Sequence, residues 1–212
     1  MRIGNFWYTF VMEKLKNLNE TPQHDATEKF KDLYGAEMVE ISYEDLPESV
    51  KNHFEGQSSK FILPEEYKVG NFSKLYKFSH QNGDETYVGQ QDKIYDTNGA
   101  TERLTYFVDT RDGEMTGYLE LRLAITDLGE YFKSKPFVGF TRTHSAFLNQ
   151  GLGKRRLEEA NAYSLSEHSL PLNSDSIITE EAKKVWESLI KDGRAESYDE
   201  NGKERFRFIS QK

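Results

Sequence analysis

The spacing of hydrophobic side chains changes along the chain between the period of a helix and the period of a strand. Apolar residues at helical spacing predict helices over residues 6–18, 26–34 and 43–54. Alternating apolar and polar residues predict strands over residues 37–42, 72–79, 85–88, 104–108 and 115–123, with a short piece at 93–95. Turns at Asn82-Gly83 and Asp112-Gly113 predict hairpins between the later strands, and a short helix is predicted over residues 127–133.

The last third of the chain has a more definite order of elements. An apolar, β-branched run over residues 136–148 predicts a strand, and the glycine turn Asn149-Gln150-Gly151-Leu152-Gly153-Lys154 then opens into a helix. Residues 171–174 predict a short strand, and Thr179 is the predicted N-cap of a second helix that ends at Gly193. Two closing strands, over residues 194–198 and 204–209, are joined through Asn201-Gly202. The predicted order is therefore strand, glycine loop, helix, strand, helix and hairpin.

The glycine turn has the features of a phosphate site. The start of a helix presents N–H groups without intrahelical partners and the positive end of the helix dipole, and both favour an anion. Gly151 and Gly153 would let a ligand approach the backbone without meeting a Cβ atom. Lys154, Arg155 and Arg156 follow in the first turn, where the dipole disfavours each cation by roughly 0.3–1 kcal/mol. These cations either accompany a bound anion or form a solvated face of the helix.

This order of elements, headed by Gln150-Gly151-Leu152-Gly153, resembles the acyl-CoA-binding half of the GNAT N-acetyltransferase superfamily over about residues 106–209. The loop motif of that family is Arg/Gln-x-x-Gly-x-Gly/Ala. Gly151 and Gly153 match the motif, whereas Leu148 stands where arginine or glutamine is usual.

The second helix carries a further part of the resemblance. Its pattern Ala182-x-x-Val185-Trp186-x-x-Leu189 matches the family helix, except that Trp186 stands where many members have a tyrosine. The run Asn173-Ser174-Asp175-Ser176 resembles bacteriophage-encoded members.

The resemblance implies a fold, and the sequence that precedes the matching region predicts a domain division. The expected class is α/β (α+β), with a GNAT-like mixed central sheet flanked by helices and an N-terminal elaboration. Residues 1–35 are predicted to form a helical arm, and residues 36–212 the GNAT-like domain, which is clearest over 104–209.

The resemblance also implies acetyl-CoA as the co-substrate. In the family, the strand before the glycine loop is splayed from the next one and lies along the pantetheine arm, while the loop amides hold the pyrophosphate. Because the predicted strand runs to Leu148, its last residues are the expected arm contacts. The predicted cofactor-binding residues are Ala146, Phe147, Leu148, Asn149, Gln150, Gly151, Leu152, Gly153, Lys154 and Arg155.

Two side chains are candidates for the base that would deprotonate an amine. His144 lies on the second half of the predicted strand, and histidine changes charge near neutral pH. Glu120 lies midway along the preceding strand. The alternatives are a hydrogen-bonded or exposed strand histidine and a solvent-facing carboxylate on an alternating strand.

Other polar side chains give weaker indications. Trp186 cannot act as the acid, because an indole N–H does not release its proton, and it is predicted to be a core residue. Tyr163 and Tyr198 are predicted to be core or surface tyrosines, and Ser174 and Asp175 to be capping residues at a helix start. The five histidines are scattered without an H-x-x-x-H pair, so no metal is expected.

Composition and charge narrow the classes of function. The chain of 212 residues has no cysteine, which excludes disulfides, a cysteine nucleophile and thiolate metal sites. Its net charge of −8 argues against a general nucleic-acid binder. The charge either attracts a basic substrate or only keeps the protein in solution. No apolar run approaches ~18–20 residues, and the N-terminus has no small-residue cleavage site. A cytoplasmic protein is therefore expected, in the host cytoplasm if phage-encoded, with no membrane partner.

Two functions from different classes remain. The first is an N-acetyltransferase that transfers an acetyl group from acetyl-CoA to an amine of a protein lysine or a small molecule. The second is a non-catalytic protein on a GNAT scaffold that binds a partner protein, which Leu148, Trp186 and the missing acid–base pair favour. A dinucleotide-binding fold is a distant third, because the third glycine of its motif is missing.

Overall fold

A computed structural model describes residues 23–54, 72–95, 100–124, 135–175 and 177–209. Within these ranges, helices and antiparallel strands combine in a mixed α+β fold, and the predicted fold class is confirmed. The predicted helices over residues 6–18 and 127–133 lie outside the described residues.

The main sheet has six antiparallel strands in sequence order. They are β1 (Val39–Glu40), β2 (Lys74–Ser79), β3 (Glu85–Tyr95), β4 (Ala100–Arg111), β5 (Glu114–Ala124) and β6 (Phe137–Thr143). The predicted turn at residues 110–113 is confirmed, because Asp112 and Gly113 have φ angles of 52° and 79°, as a two-residue hairpin turn requires. Strands β3 and β4 are longer than predicted, because buried polar pairs such as Arg103 with Asp92 interrupt their apolar alternation.

Four helices accompany the sheet in the described ranges. They are α1 (Gln23–Tyr34), α2 (Glu48–Phe54), α3 (Leu152–His168) and α4 (Glu180–Lys191). The predicted helix over 43–54 is divided into a 3-10 turn, Tyr43–Asp45, and α2. Pro47 is the cause, because a proline forces the residue before it, Leu46, out of the helical region; its ψ angle is 138°.

Hydrophobic clusters lie on both faces of the sheet. On one face, Phe30 of α1 and Leu157 and Ala160 of α3 are buried with Phe107 and Leu119 of the sheet. The opposite face is covered by α2, whose apolar residues pack against β3 and β4. That second cluster consists of Leu46, Val50, Phe54, Tyr87 and Val108.

The C-terminal half follows the predicted order of elements. After α3, residue Asn173 forms isolated bridges with Phe137 and Arg207, then α4 begins at its N-cap Thr179, whose side chain accepts from the Ala182 N–H. The closing hairpin is β7 (Ala195–Glu200) and β8 (Lys203–Phe208).

The hairpin and α4 share an aromatic core. The Trp186 ring stacks on Phe206 with centroids 6.0 Å apart and meets the edge of Phe208 at 5.4 Å. The prediction that Trp186 is a core residue is confirmed.

Two predictions about this half are wrong. Strand β6 ends at Thr143 and not at residue 148, because residues Ser145–Phe147 turn into a 3-10 helix that His144 begins. Ser174 does not cap a helix: its N–H donates to the Phe206 carbonyl, and its hydroxyl accepts from the Phe206 N–H.

Candidate active site

Strand β6 is paired on one side along its length and open on the other. Its N–H at Val138 donates to the Asn173 carbonyl, and Asn173 donates to Pro136, so the two segments run parallel there. Within the described residues, no further bridge joins them, while β6 stays paired with β5 as far as Thr143. The two segments therefore separate toward the C-terminal end of β6.

Backbone groups of β6 point into this opening. The His144 N–H donates to the Thr116 carbonyl on the β5 side at 2.8 Å. The β5–β6 register shifts between Val138 and Phe140, so the alternation is counted from His144. On that count the N–H and C=O groups of Thr141 and Thr143 point to the opposite, open side. They are the groups that a peptide-like ligand would pair with.

The glycine loop lies at the wide end of the opening. Gly151 is the N-cap of α3 with a φ angle of 77°, a left-handed conformation that glycine adopts without strain. It has no side chain to cap the helix, and within the described ranges no acceptor binds the N–H groups of residues 152–154. A Cβ atom on Gly153 would lie 4.0 Å from Thr143 Oγ1, which places the loop beside the end of β6.

The predicted cofactor-binding residues are thus brought to one end of the molecule, in three different settings. Ala146 and Phe147 lie in the 3-10 turn, Leu148 follows it with 55% of its surface exposed, and Asn149 has a φ angle of 62°. Leu152, at the first position of α3, is buried. The prediction that these residues bind a cofactor stays a prediction.

The three cations after the loop are held by carboxylates. Lys154 Nζ contacts Asp192 of the α4 C-terminus. Arg155 lies 2.7 Å from Asp84 Oδ2 and 3.3 Å from Glu159 Oε1. Arg156 is fully buried, so for this residue neither phosphate contact nor a solvated face, the two alternatives from the sequence, is correct.

Arg111 reaches the loop from the sheet, and no local sequence pattern predicts this contact. Its guanidinium donates to both Asp84 oxygens, at 2.8 and 3.1 Å, and to Gln150 Oε1 at 3.0 Å. It also lies 5.6 Å from the centre of the Phe147 ring. Arg111 comes from the end of β4, and only the hairpin pairing of the sheet brings it to the loop.

A buried polar network lies beneath the first two turns of α3. Asp84 has a lowered pKa, chiefly because Arg111 donates hydrogen bonds to its carboxylate, and Arg155 adds to the effect. Burial raises the pKa of Glu159, and the charge of Asp109 raises it further. Tyr34 donates to Glu159 Oε1 at 2.9 Å, which ties α1 to this network.

The two candidate bases lie on neighbouring strands in different environments. His144, at the end of β6, is exposed, and its Nδ1 accepts from the Ala146 N–H at 3.4 Å. Glu120 lies on the sheet face opposite α3, and its carboxylate accepts from Arg122 Nε above Gly139. Neither arrangement tests their predicted role as base.

Two further properties concern only the described part of the chain. No group of three or more histidine, aspartate or glutamate side chains there is arranged to hold a metal ion. In the same ranges, no helix combines the length and the apolar composition that crossing a bilayer requires.

Comparison with known proteins adds little to this geometry. No family model and no curated protein matches the sequence. A candidate GnaT-family acetyltransferase from Bordetella pertussis has a similar structure, with 16% sequence identity and a TM-score of 0.34. The similarity covers 53% of this chain and 66% of that one, just under two thirds of its length. So low a TM-score carries no argument about the site, and the phage origin stays a prediction.

Proposed function

We propose that this chain is an acetyl-CoA-dependent N-acetyltransferase that acts on an amine. One observation carries the proposal: β6 separates from the Asn173 segment, and a glycine loop with unpaired N–H groups lies at the open end. A strand edge suits a ligand that contains amide groups, and a helix start suits a phosphate. Acyl-CoA has an amide-containing arm joined to a pyrophosphate, and it therefore fits both.

The residues of the site divide between the two parts of the ligand. The N–H groups of residues 152–154 would bind the pyrophosphate, with the Arg111 guanidinium beside Gln150 as an additional cation. The backbone of Thr141 and Thr143 would pair with the pantetheine amides along the open side of β6. This division differs from the sequence prediction, in which the arm contacts were Ala146, Phe147 and Leu148.

Acyl transfer from a thioester to an amine needs few groups from the protein. The acceptor nitrogen attacks the thioester carbonyl carbon, and a C–N bond forms. The C–S bond breaks with its electron pair on sulfur, so CoA leaves as a thiolate that takes up a proton, and the amine loses a proton. His144 is the proposed proton acceptor, because it is an exposed imidazole directly after β6. Its Nδ1 accepts from the Ala146 N–H at 3.4 Å, so to take a proton at Nε2 the neutral ring must instead carry its own proton on Nδ1 and give up this hydrogen bond. Glu120 is the second candidate, at the cost of its bond to Arg122.

A charge introduced at the loop tests the proposal. Asparagine and aspartate have the same size and both tolerate a positive φ, so Gly151→Asn is a matched control for Gly151→Asp. A carboxylate beside the pyrophosphate should weaken CoA binding about tenfold or more relative to the asparagine variant, because like charges repel at short range. Calorimetry at low and high salt should show this difference shrinking as salt rises. Equal affinities in the two variants would exclude the loop as the phosphate site.

Turnover separates this proposal from a binding function on the same scaffold. Leu148, where the GNAT motif has arginine or glutamine, is largely exposed and gives the second function its support. If mass spectrometry detects acetylation of a candidate amine acceptor, the protein is an enzyme. CoA binding without turnover of any acceptor supports the partner-binding protein.

A further inference from the structure

A fully buried arginine lies where α3, β5 and β6 meet. Arg156 Nε and Nη2 lie 2.9 and 2.8 Å from Asp109 Oδ2, and neither residue is accessible to solvent. Asp109 also accepts a hydrogen bond from the Thr86 hydroxyl at 3.1 Å. The carboxylate therefore compensates the buried charge and fixes the orientation of the guanidinium.

The remaining nitrogen of this guanidinium faces the end of β6. Arg156 Nη1 lies 3.1 Å from the Arg142 carbonyl and 3.4 Å from the Tyr118 carbonyl. The hydroxyls of Thr141 and Thr143 lie 3.4 and 3.5 Å from the same nitrogen. Three of these four acceptors belong to the last three residues of β6, the part that has no strand partner on its open side.

Gly117 makes room for this arrangement. A Cβ atom at position 117 would lie 2.3 Å from Arg156 Nη2 and 2.5 Å from the Arg142 carbonyl oxygen. Any side chain there would displace either the guanidinium or β6. The position of the Arg156 guanidinium therefore requires glycine at position 117.

We infer that Arg156 is a positioning residue that holds the C-terminal part of β6 in place beside the glycine loop. The strand has a neighbour on only one side there, so β5 alone would leave its outer edge poorly fixed. Arg156 adds hydrogen bonds from α3, the helix that carries the loop. The inference rests on the proposed function, because it assigns this edge to the pantetheine arm.

Two ligands separate a positioning role from a general structural one. CoA would contact both β6 and the loop, whereas 3′-phospho-ADP, its nucleotide part, would contact only the loop. Arg156→Lys keeps the charge beside Asp109 but has no planar fork to reach β6 as well. We expect its Kd for CoA to rise about tenfold and its Kd for 3′-phospho-ADP to change less than about threefold, because the lost contacts amount to one or two hydrogen bonds.

Arg103 provides a matched control at the other end of β4. It is also buried and also pairs with one aspartate: its Nε and Nη2 donate to Asp92 at 2.7 and 2.9 Å. Arg103→Lys should leave both dissociation constants within about threefold of wild type. A second readout needs no ligand: exchange of the His144 N–H, bonded to Thr116, should be faster in Arg156→Lys and unchanged in Arg103→Lys.

Each outcome decides a different question. A wild-type protein that binds neither ligand overturns the proposed function and the inference with it. A wild-type protein that binds both, with equal losses or no loss in Arg156→Lys, overturns the positioning role alone. If Arg156→Lys does not fold, the double variant Thr141→Val/Thr143→Val removes two acceptors without changing shape. The ratio of the Kd for CoA to the Kd for 3′-phospho-ADP, measured in the same preparation, is then expected to rise about threefold over wild type, and an unchanged ratio overturns the inference.

Discussion

At the scale of single residues, Gly151 and Gly153 differ in backbone conformation, so we expect opposite effects on stability when each is replaced by alanine. Gly151 has a φ angle of 77°, whereas Gly153 has helical geometry, and a Cβ there would meet Val185 and Thr143 only at 3.8 and 4.0 Å. We therefore expect Gly153→Ala to raise the free energy of unfolding by about 0.5–1 kcal/mol, because alanine is the better helix former. Gly151→Ala should lower it, since the left-handed conformation costs roughly 1–2 kcal/mol with a Cβ. Urea denaturation of both variants checks the pair, and a destabilised Gly153→Ala would contradict the packing described above.

His144 carries the prediction that is closest to the chemistry. If it accepts the proton of the amine, His144→Gln should remove the acid limb of the pH profile of kcat/KM, because glutamine cannot take up a proton. The value of kcat should fall by roughly 10²–10⁴ if His144 is the sole base. His168→Gln, at the opposite end of α3, should leave the profile unchanged. A fall in kcat of less than about tenfold would show that His144 is not the base, and its role would be limited to the N-cap of the 3-10 turn.

The residue scale also shows where sequence reasoning stops. The glycine turn was predictable, because its conformation is local and only glycine fits it without strain. The role of Arg155 and Arg156 was not, because their partners Asp84 and Asp109 lie 71 and 47 positions away along the chain. A basic run at a helix start has the same local appearance whether it binds a ligand or is paired by carboxylates beneath it.

At the scale of elements, the sequence predicts that strand β6 exists but not where it ends. The apolar run over residues 136–148 correctly predicts a strand, but not its end at Thr143. The end is set by His144, whose backbone N–H still belongs to the sheet while its side chain begins the next turn. Residues 141–145 are all polar, so the pattern of apolar residues does not mark which of them ends the strand.

Buried polar residues explain why β3 and β4 are longer than the sequence predicts. Gln90, Gln91 and Arg103 are buried in β3 and β4, where alternation would call for apolar side chains. Each has a specific partner in the fold; Gln90, for example, accepts from the Tyr163 hydroxyl at 2.9 Å. A strand that is stabilised by such pairs is invisible to a hydrophobic pattern, and β3 was therefore predicted as two short pieces.

At the scale of the whole molecule, the polar network ties elements from distant parts of the chain to the glycine loop. Asp84 precedes β3, Arg111 ends β4, and Gln150 belongs to the loop itself. Glu159 joins α3 to α1 through Tyr34. The loop is thus anchored by the sheet and by α1, which gives the candidate site a rigid support although Leu152 is the one buried residue among residues 146–155.

The stability of the protein in acid depends on two partly buried histidines, His53 and His168. Burial lowers the pKa of His168 to about 4, and the charges of Arg103 and Lys74 act in the same direction, while a backbone hydrogen bond involving Glu167 opposes them. Burial alone lowers the pKa of His53 to about 4. Since an unfolded histidine has a pKa near ~6.5, the unfolded chain takes up protons first as the pH falls. The stability due to these neutral histidines is therefore complete above about pH 6.5 and is lost as the pH falls toward about 4.

His168→Gln isolates one of these contributions. Glu159, whose raised pKa has the opposite effect on stability, and His53 are present in both proteins, so their contributions cancel in the comparison. Between about pH 7 and pH 4.5, wild type should lose on the order of 2–3 kcal/mol more unfolding free energy than His168→Gln, as the linkage of proton binding to folding requires. Urea denaturation of both proteins at the two pH values measures this double difference, which is independent of any loss of packing common to both pH values. If the two proteins lose the same free energy, His168 takes up a proton as readily in the folded state as in the unfolded chain, and its lowered pKa is wrong.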